Sequence, residues 1–116
     1  AAVAAFNAVQ NDALALARAH IEQGIVDRMV AAEEAESDPT VKALLGRLRA
    51  LHALHRIEAD LGWFLERGYI GAAKAGAIRA EVDALCAELT PDAAHVVEAF
   101  RLPTSALSAP IATPSS

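Results

Sequence analysis

Ser37-Asp38-Pro39-Thr40-Val41-Lys42-Ala43-Leu44-Leu45-Gly46-Arg47-Leu48 marks the clearest boundary in the chain and fixes how the rest is read. Asp38 carries a short carboxylate that can accept from the first free N–H groups of a helix. Pro39 suits the first helical position, where its missing N–H costs nothing. The apolar residues that follow recur at helical spacing. A helix is therefore predicted from Pro39 to about Arg67, with Gly68 placed to end it in a left-handed turn. Its apolar face changes along its length. Val41, Leu44, Leu45 and Leu48 point one way, while Leu54, Ile57, Leu61, Phe64 and Leu65 point nearly opposite. Such a helix meets different neighbours at its two ends.

Before this boundary, a first helix is predicted from Ala1 to Ala35. Phe6, Val9, Ala13, Leu16 and His20 share one face, and Leu14, Ile21, Ile25 and Met29 form a second. Together they cover more than half the circumference, wider than the stripe of a surface helix, so several neighbours are expected. Glu33, Glu34 and Glu36 crowd its C-terminal end, where the helix dipole disfavours negative charge. Fraying is expected there.

Beyond the boundary, Tyr69-Ile70-Gly71 reads as a short link. A third helix follows from about Ala72 to Leu89, with Ile78, Val82, Leu85, Cys86 and Leu89 on a narrow stripe. Thr90-Pro91 repeats the cap-then-proline signature and opens a short fourth helix. Ala93, Val96, Val97 and Phe100 are expected to pack inward from it, and Pro103 to stop it. From Ser105 onward, small residues with Pro110 and Pro114 suggest an extended tail anchored by Leu107 and Ile111, with a disordered end. No strand alternation, internal repeat or sustained heptad is present. The fold class is all-α, a helical bundle. Residues 1–107 are expected to form a single helical domain and 108–116 the tail.

Composition excludes several classes. With 116 residues the chain is one domain at most. Apolar residues make up 54% of it, yet no apolar run approaches the roughly 18 residues of a membrane span. No basic region precedes the apolar start, so no secretory signal is read. The net charge of −5 and ten scattered Lys and Arg residues form no basic stripe for nucleic acid. Cys86 stands alone, which suits a reducing compartment. The chain begins at Ala1 rather than Met, so a processed or truncated product is expected, with missing motifs elsewhere in the parent.

Few residues invite a chemical reading. His52 and His55, with Glu58 and Asp60 nearby, are the one cluster resembling metal ligands. Spacing of three puts both imidazoles on one helical face, as zinc or iron could use. Glu58 is expected on a different face, however, and a third ligand is missing. Histidines packed at a helix–helix contact are the preferred reading. The Glu-x-x-His segments of a di-iron bundle are absent. Cys86 could be a nucleophile beside a base, but its stripe makes it a small core residue. Gly46, Gly62 and Gly76 form no phosphate-cradling pattern and read as packing glycines. Trp63 and Phe64 read as aromatic core. No catalytic, cofactor-binding or metal-ligating residue is assigned.

The segment Leu61-Gly62-Trp63-Phe64-Leu65-Glu66-Arg67-Gly68-Tyr69-Ile70 resembles a signature near the end of acyl-CoA oxidases. It is followed in register by Ile78-Arg79, Val82-Asp83-Ala84-Leu85-Cys86-Ala87-Glu88-Leu89 and Pro91. Val97-Glu98-Ala99-Phe100, Leu102-Pro103 and Ala109-Pro110-Ile111-Ala112 continue it. Phe6-Asn7, Gln10 and Ala17-Arg18-Ala19-His20 are similar to the family's preceding long helix. The resemblance implies the C-terminal helical domain of an FAD-dependent enzyme that oxidises acyl-CoA to the trans-2-enoyl thioester and makes hydrogen peroxide. It implies a homodimer, with the catalytic glutamate and most of the flavin site upstream, and maps neither onto these positions. Thr90 departs from the family by standing where many members have arginine. The chain does not finish in a peroxisomal Ser-Lys-Leu-type signal, and its Ser115-Ser116 ending and alanine richness suit a bacterial cytoplasmic member. The competing class is a non-enzymatic helical interaction module. Leu54, Ile57, Leu61 and Phe64 are expected to form part of the contact with the remainder of the enzyme.

Overall fold

The structure is a computed structural model that describes residues 1–103. The predicted tail, with Leu107 and Ile111, lies outside the described residues. Helix α1 runs Ala2–Ala35, α2 Pro39–Ala59, α3 Leu61–Glu66 and α4 Ala72–Leu89. A 3₁₀ turn at Thr90–Asp92 then leads into α5, Ala93–Ala99. No strand occurs among the described residues. The protein is an all-α helical bundle, as its periodicity predicts. No helix among the described residues is long and apolar enough to cross a membrane.

The boundary at Asp38 forms as its chemistry requires. The Asp38 carboxylate accepts from the Thr40 N–H at 2.8 Å and the Val41 N–H at 3.4 Å. Two of the first turn's orphan donors are thereby satisfied. The expected fraying of α1 does not occur. Glu33 is held by Arg49 of α2, and the Glu36 carboxylate accepts from the Asp38 N–H at 2.9 Å. Partners across the turn outweigh the unfavourable dipole.

The second helix is broken where the sequence reads it as continuous. Asp60 leaves the helical region at φ −108°, ψ 16°, and its N–H turns back to the Ile57 carbonyl at 3.1 Å. Directly after this break, Leu61 enters the core at 3% exposure. Gly68 does end α3 in a left-handed turn, at φ 69°. Its N–H donates to the Leu65 carbonyl at 3.1 Å, and the Tyr69 N–H to the Phe64 carbonyl at 3.0 Å. These paired bonds complete a Schellman cap.

Helix α2 lies in the middle, antiparallel to α1 on one side and to α4 on the other. Its two opposed apolar faces serve these two neighbours. Leu45 and Leu48 line one open hollow with Ile25, Met29 and Ala32 of α1. Leu54 and Ile57, with Ile70, pack against the buried cluster of Leu61, Ala75 and Ile78. Val82, Leu85 and Leu89 extend the buried stripe of α4. Leu54, Ile57 and Leu61 are therefore committed to the chain's own core, which corrects their expected role as an outward contact. Phe64 is half-buried against the α1 side instead.

Further expectations change. Cys86 is exposed, not core. It follows Leu85 by about 100° of helical rotation, which places it at the edge of the stripe. Thr90 caps no helix: its backbone stays helical, and its hydroxyl donates to the Cys86 carbonyl at 2.8 Å. This back-bonding carries α4 directly into the 3₁₀ turn. Helix α5 ends at Ala99, before Pro103, and only Val96 of its apolar residues is half-buried. Ala93, Val97 and Phe100 remain exposed. Gly46 does permit a close approach, since a Cβ there would meet the Glu33 carboxylate at 3.0 Å. Gly62 and Gly76 face open space.

The resulting shape is extended. The radius of gyration is 18.8 Å, with extents of 61 × 37 × 33 Å. A compact domain of about 100 residues has a radius near 13 Å. The excess comes from α1, whose residues 1–21 are all exposed.

Candidate functional site

His52 and His55 line an open hollow of about 550 Å³ between α1, α2, α4 and α5, together with Met29, Leu51, Val82, Cys86 and Phe100. Its walls are overwhelmingly apolar. The His52 Nε2 is buried and has no hydrogen-bond partner among the described residues. His55 is exposed, and its Nδ1 lies 3.7 Å from the Glu58 carboxylate. Glu58 thus reaches the histidine from one turn away, contrary to the expectation of a different face. Asp60 lies elsewhere, beside Trp63 and Phe64 in the hollow toward α1. No group of three or more His, Cys, Asp or Glu residues among the described residues is arranged to hold a metal. The cluster that the sequence suggests is divided between two places.

Trp63 is the centre of an aromatic group at the α3 end. Phe64 meets it edge to face with ring centroids 5.1 Å apart, and Tyr69 stacks at 5.6 Å. The Arg67 guanidinium sits 4.3 Å above the Trp63 ring, within cation–π range. Trp63 is nonetheless 47% exposed and Tyr69 69% exposed. These rings are a surface platform, not the aromatic core that the sequence suggests. The adjoining open hollow of about 260 Å³ is lined on its other side by Ala15, Arg18, Ala19 and Glu22 of α1.

Charged pairs set the alignment of α1 on α2. Arg49 Nε donates to the Glu33 carboxylate at 2.6 Å. The hydrogen bond from Arg49 lowers the Glu33 pKa, with the charges of Arg49 and Lys42 adding to it and partial desolvation opposing. Arg56 Nε lies 2.7 Å from the Glu22 carboxylate, as a charge contact without an aligned N–H. Arg47 reaches Asp92 at 3.5 Å and ties the 3₁₀ turn to α2. None of these pairs is visible in a list of chemical motifs. The carboxylates of α1 stand eleven residues apart and the arginines of α2 seven apart. Both are close to whole numbers of helical turns. That spacing was the available signal.

The largest feature is the uncovered apolar surface of α1. Val3, Phe6, Val9, Leu14, Leu16 and Ile21 are each more than half exposed. The half-buried face of α1 is formed by Glu22, Val26, Met29, Val30 and Glu33. Val9 and Leu16 fall on one flank of that face, Val3, Leu14 and Ile21 fall on the other, and Phe6 lies opposite it. What the described residues define is a helical bundle with open hollows between its helices and no group of three or more His, Cys, Asp or Glu residues arranged to hold a metal.

The chain belongs to the acyl-CoA oxidase family, whose family model matches residues 1–114. It is 36% identical over 111 residues to acyl-coenzyme A oxidase 2, peroxisomal, of Arabidopsis thaliana, covering 96% of this chain and 16% of that protein. It is 38% identical over 97 residues to acyl-coenzyme A oxidase 3, peroxisomal, of the same plant, covering 84% and 14%. Peroxisomal acyl-coenzyme A oxidase 3 of Homo sapiens is 33% identical over 98 residues, covering 83% and 14%. The chain thus spans about a sixth to a seventh of the length of these relatives. No solved structure matches it.

Proposed function

We propose that this chain is the C-terminal structural part of an FAD-dependent acyl-CoA oxidase and is non-catalytic by itself. The observation that carries the reading is the family match along nearly the whole chain, on a bundle of packing surfaces. The reaction of the whole protein removes two hydrogens from the Cα–Cβ bond of a fatty acyl-CoA to give the trans-2-enoyl thioester. Dioxygen takes up both hydrogens and leaves as hydrogen peroxide. FAD supplies the redox step and is bound mainly outside this stretch. A dinucleotide needs a cleft with backbone donors aimed at its pyrophosphate, typically a glycine-rich turn at a helix start. The hollows here are open and apolar-walled, and Gly71 stands alone before α4. The described residues do not fit the cofactor, so no catalytic or flavin-contacting role is assigned to any of them.

Residues 1–107 are taken as one helical domain within this larger enzyme. The remainder of the polypeptide is its first partner, and a homodimer its proposed assembly. The relatives' names place those proteins in peroxisomes. The cytoplasmic placement proposed for this chain rests on its alanine-rich composition, and cell fractionation tests it. The activity is tested on the full-length polypeptide, which is expected to purify yellow and to form peroxide from acyl-CoA. The 116-residue chain alone is expected to do neither. A flavin-free, inactive full-length protein would favour the non-enzymatic interaction module instead, and peroxide formed by the isolated chain would overturn the structural role.

A further inference from the structure

We propose that the N-terminal half of α1 is the contact by which this chain seats in an apolar groove between helices supplied by the rest of its own polypeptide. The proposal rests on the oxidase reading above and adds the surface and the shape of its partner. Every residue from Ala1 to Ile21 is exposed, and residues 1–11 carry no charged side chain. A solvent-facing helix normally carries charge on its outer side, while a helix apolar around most of its circumference is an interior one. The centre of a protein contact is likewise depleted of charge and enriched in aromatics. Phe6, at 61% exposure, stands in the middle of this charge-free stretch.

The arrangement of the apolar side chains selects the occupant. A second copy of this chain, paired about a twofold axis, would seat one face of α1 on itself. Val9 and Leu16 form one line along α1 and Val3, Leu14 and Ile21 another, about 140° round the helix, with Phe6 between them. A single opposing helix covers one of these lines and leaves the other wet. A groove between two helices covers both. The relatives extend over about six times the length of this chain, so the same polypeptide has ample length to supply such a groove. Beyond residue 21 the contact runs into the α1–α2 interface, which opens with the Glu22–Arg56 pair and where Ile25 and Met29 share a hollow with Leu45 and Leu48.

The test is thiol labelling of the full-length polypeptide and, separately, of the 116-residue chain. Both carry Cys86→Ser together with either Val9→Cys or, as a solvent-facing control on α4, Glu81→Cys. Modification at each position is followed by peptide mass spectrometry. In the isolated chain, position 9 is expected to react as fast as position 81. In the full-length protein, position 9 is expected to slow by about tenfold or more, as for a site that reacts only on local opening, while position 81 does not change. Equal rates at position 9 in both contexts would overturn the proposal. Protection already present in the isolated chain and lost on dilution would overturn it in favour of a second copy. Hydrogen exchange over residues 1–21 of the unsubstituted proteins gives the same comparison without a mutation. An active oxidase with position 9 freely labelled refutes the docking surface alone. A protected but inactive protein refutes the oxidase reading alone.

Discussion

Asp38 holds the start of α2 through one carboxylate oxygen shared by two N–H donors. Asp38→Ala is expected to destabilise the chain by about 1 kcal/mol, measured by urea unfolding; an unchanged midpoint would mean that Pro39 alone fixes the boundary. Glu33 offers a pH handle. Its pKa is lowered on folding, first by the hydrogen bond from Arg49 and then by nearby positive charge. The folded state therefore holds this proton less tightly than the unfolded chain. The stabilisation is present above the ordinary glutamate range and is lost as the pH falls through the lowered folded value. Wild type and Glu33→Gln should differ most in thermal stability near neutral pH and converge in acid. A difference that grows on acidification would remove the pair from the account. At this scale the sequence was legible wherever the chemistry is local, as at Asp38, Pro39 and Gly68. Cys86 was not, because its exposure depends on how far α4 is rotated against α2. No pattern within α4 reports that angle.

Among the elements, α4 contributes most of the buried side chains and α2 divides its two faces between neighbours. Leu61 joins them from the first turn of α3, just past the break at Asp60. Leu61→Ala is expected to cost about 2–5 kcal/mol, because it empties a site closed by Ala75 and Ile78. A loss below 1 kcal/mol on chemical unfolding would show that the α3–α4 contact collapses to fill the space. Gly68→Ala tests the other end of α3. Its φ of 69° lies where a Cβ costs about 1–2 kcal/mol, and open space around it leaves backbone strain as the sole source of the loss. The existence and ends of α1 and α4 could be read from periodicity, since both are long and regularly patterned. The break at Asp60 could not. No proline marks it, and its effect on Leu61 is visible only with α4 in place. The back-bonding of Thr90 was hidden for the opposite reason: the same residue types serve equally as cap or as continuation.

For the molecule as a whole, protection should be graded. Hydrogen exchange of the isolated chain should be slowest in α4 and in Leu54–Leu61, where the buried side chains gather, and fastest over residues 1–21. Uniform protection from α1 to α4 would contradict the open arrangement. The sequence did indicate that α1 is apolar on too many sides. It could not indicate how few of those sides its own neighbours cover. The hollow that α1 shares with α3 reaches back to Ala15, so the helix ahead of that residue projects as a lever about 20 Å long. A tilt of 10° at the α1–α2 seam swings its tip through roughly 3.5 Å, most of the rise of one helical turn. Glu22–Arg56 and Glu33–Arg49, set along the seam as two pins, therefore act as an aiming device. A single pin would leave a pivot, whereas two fix a bearing.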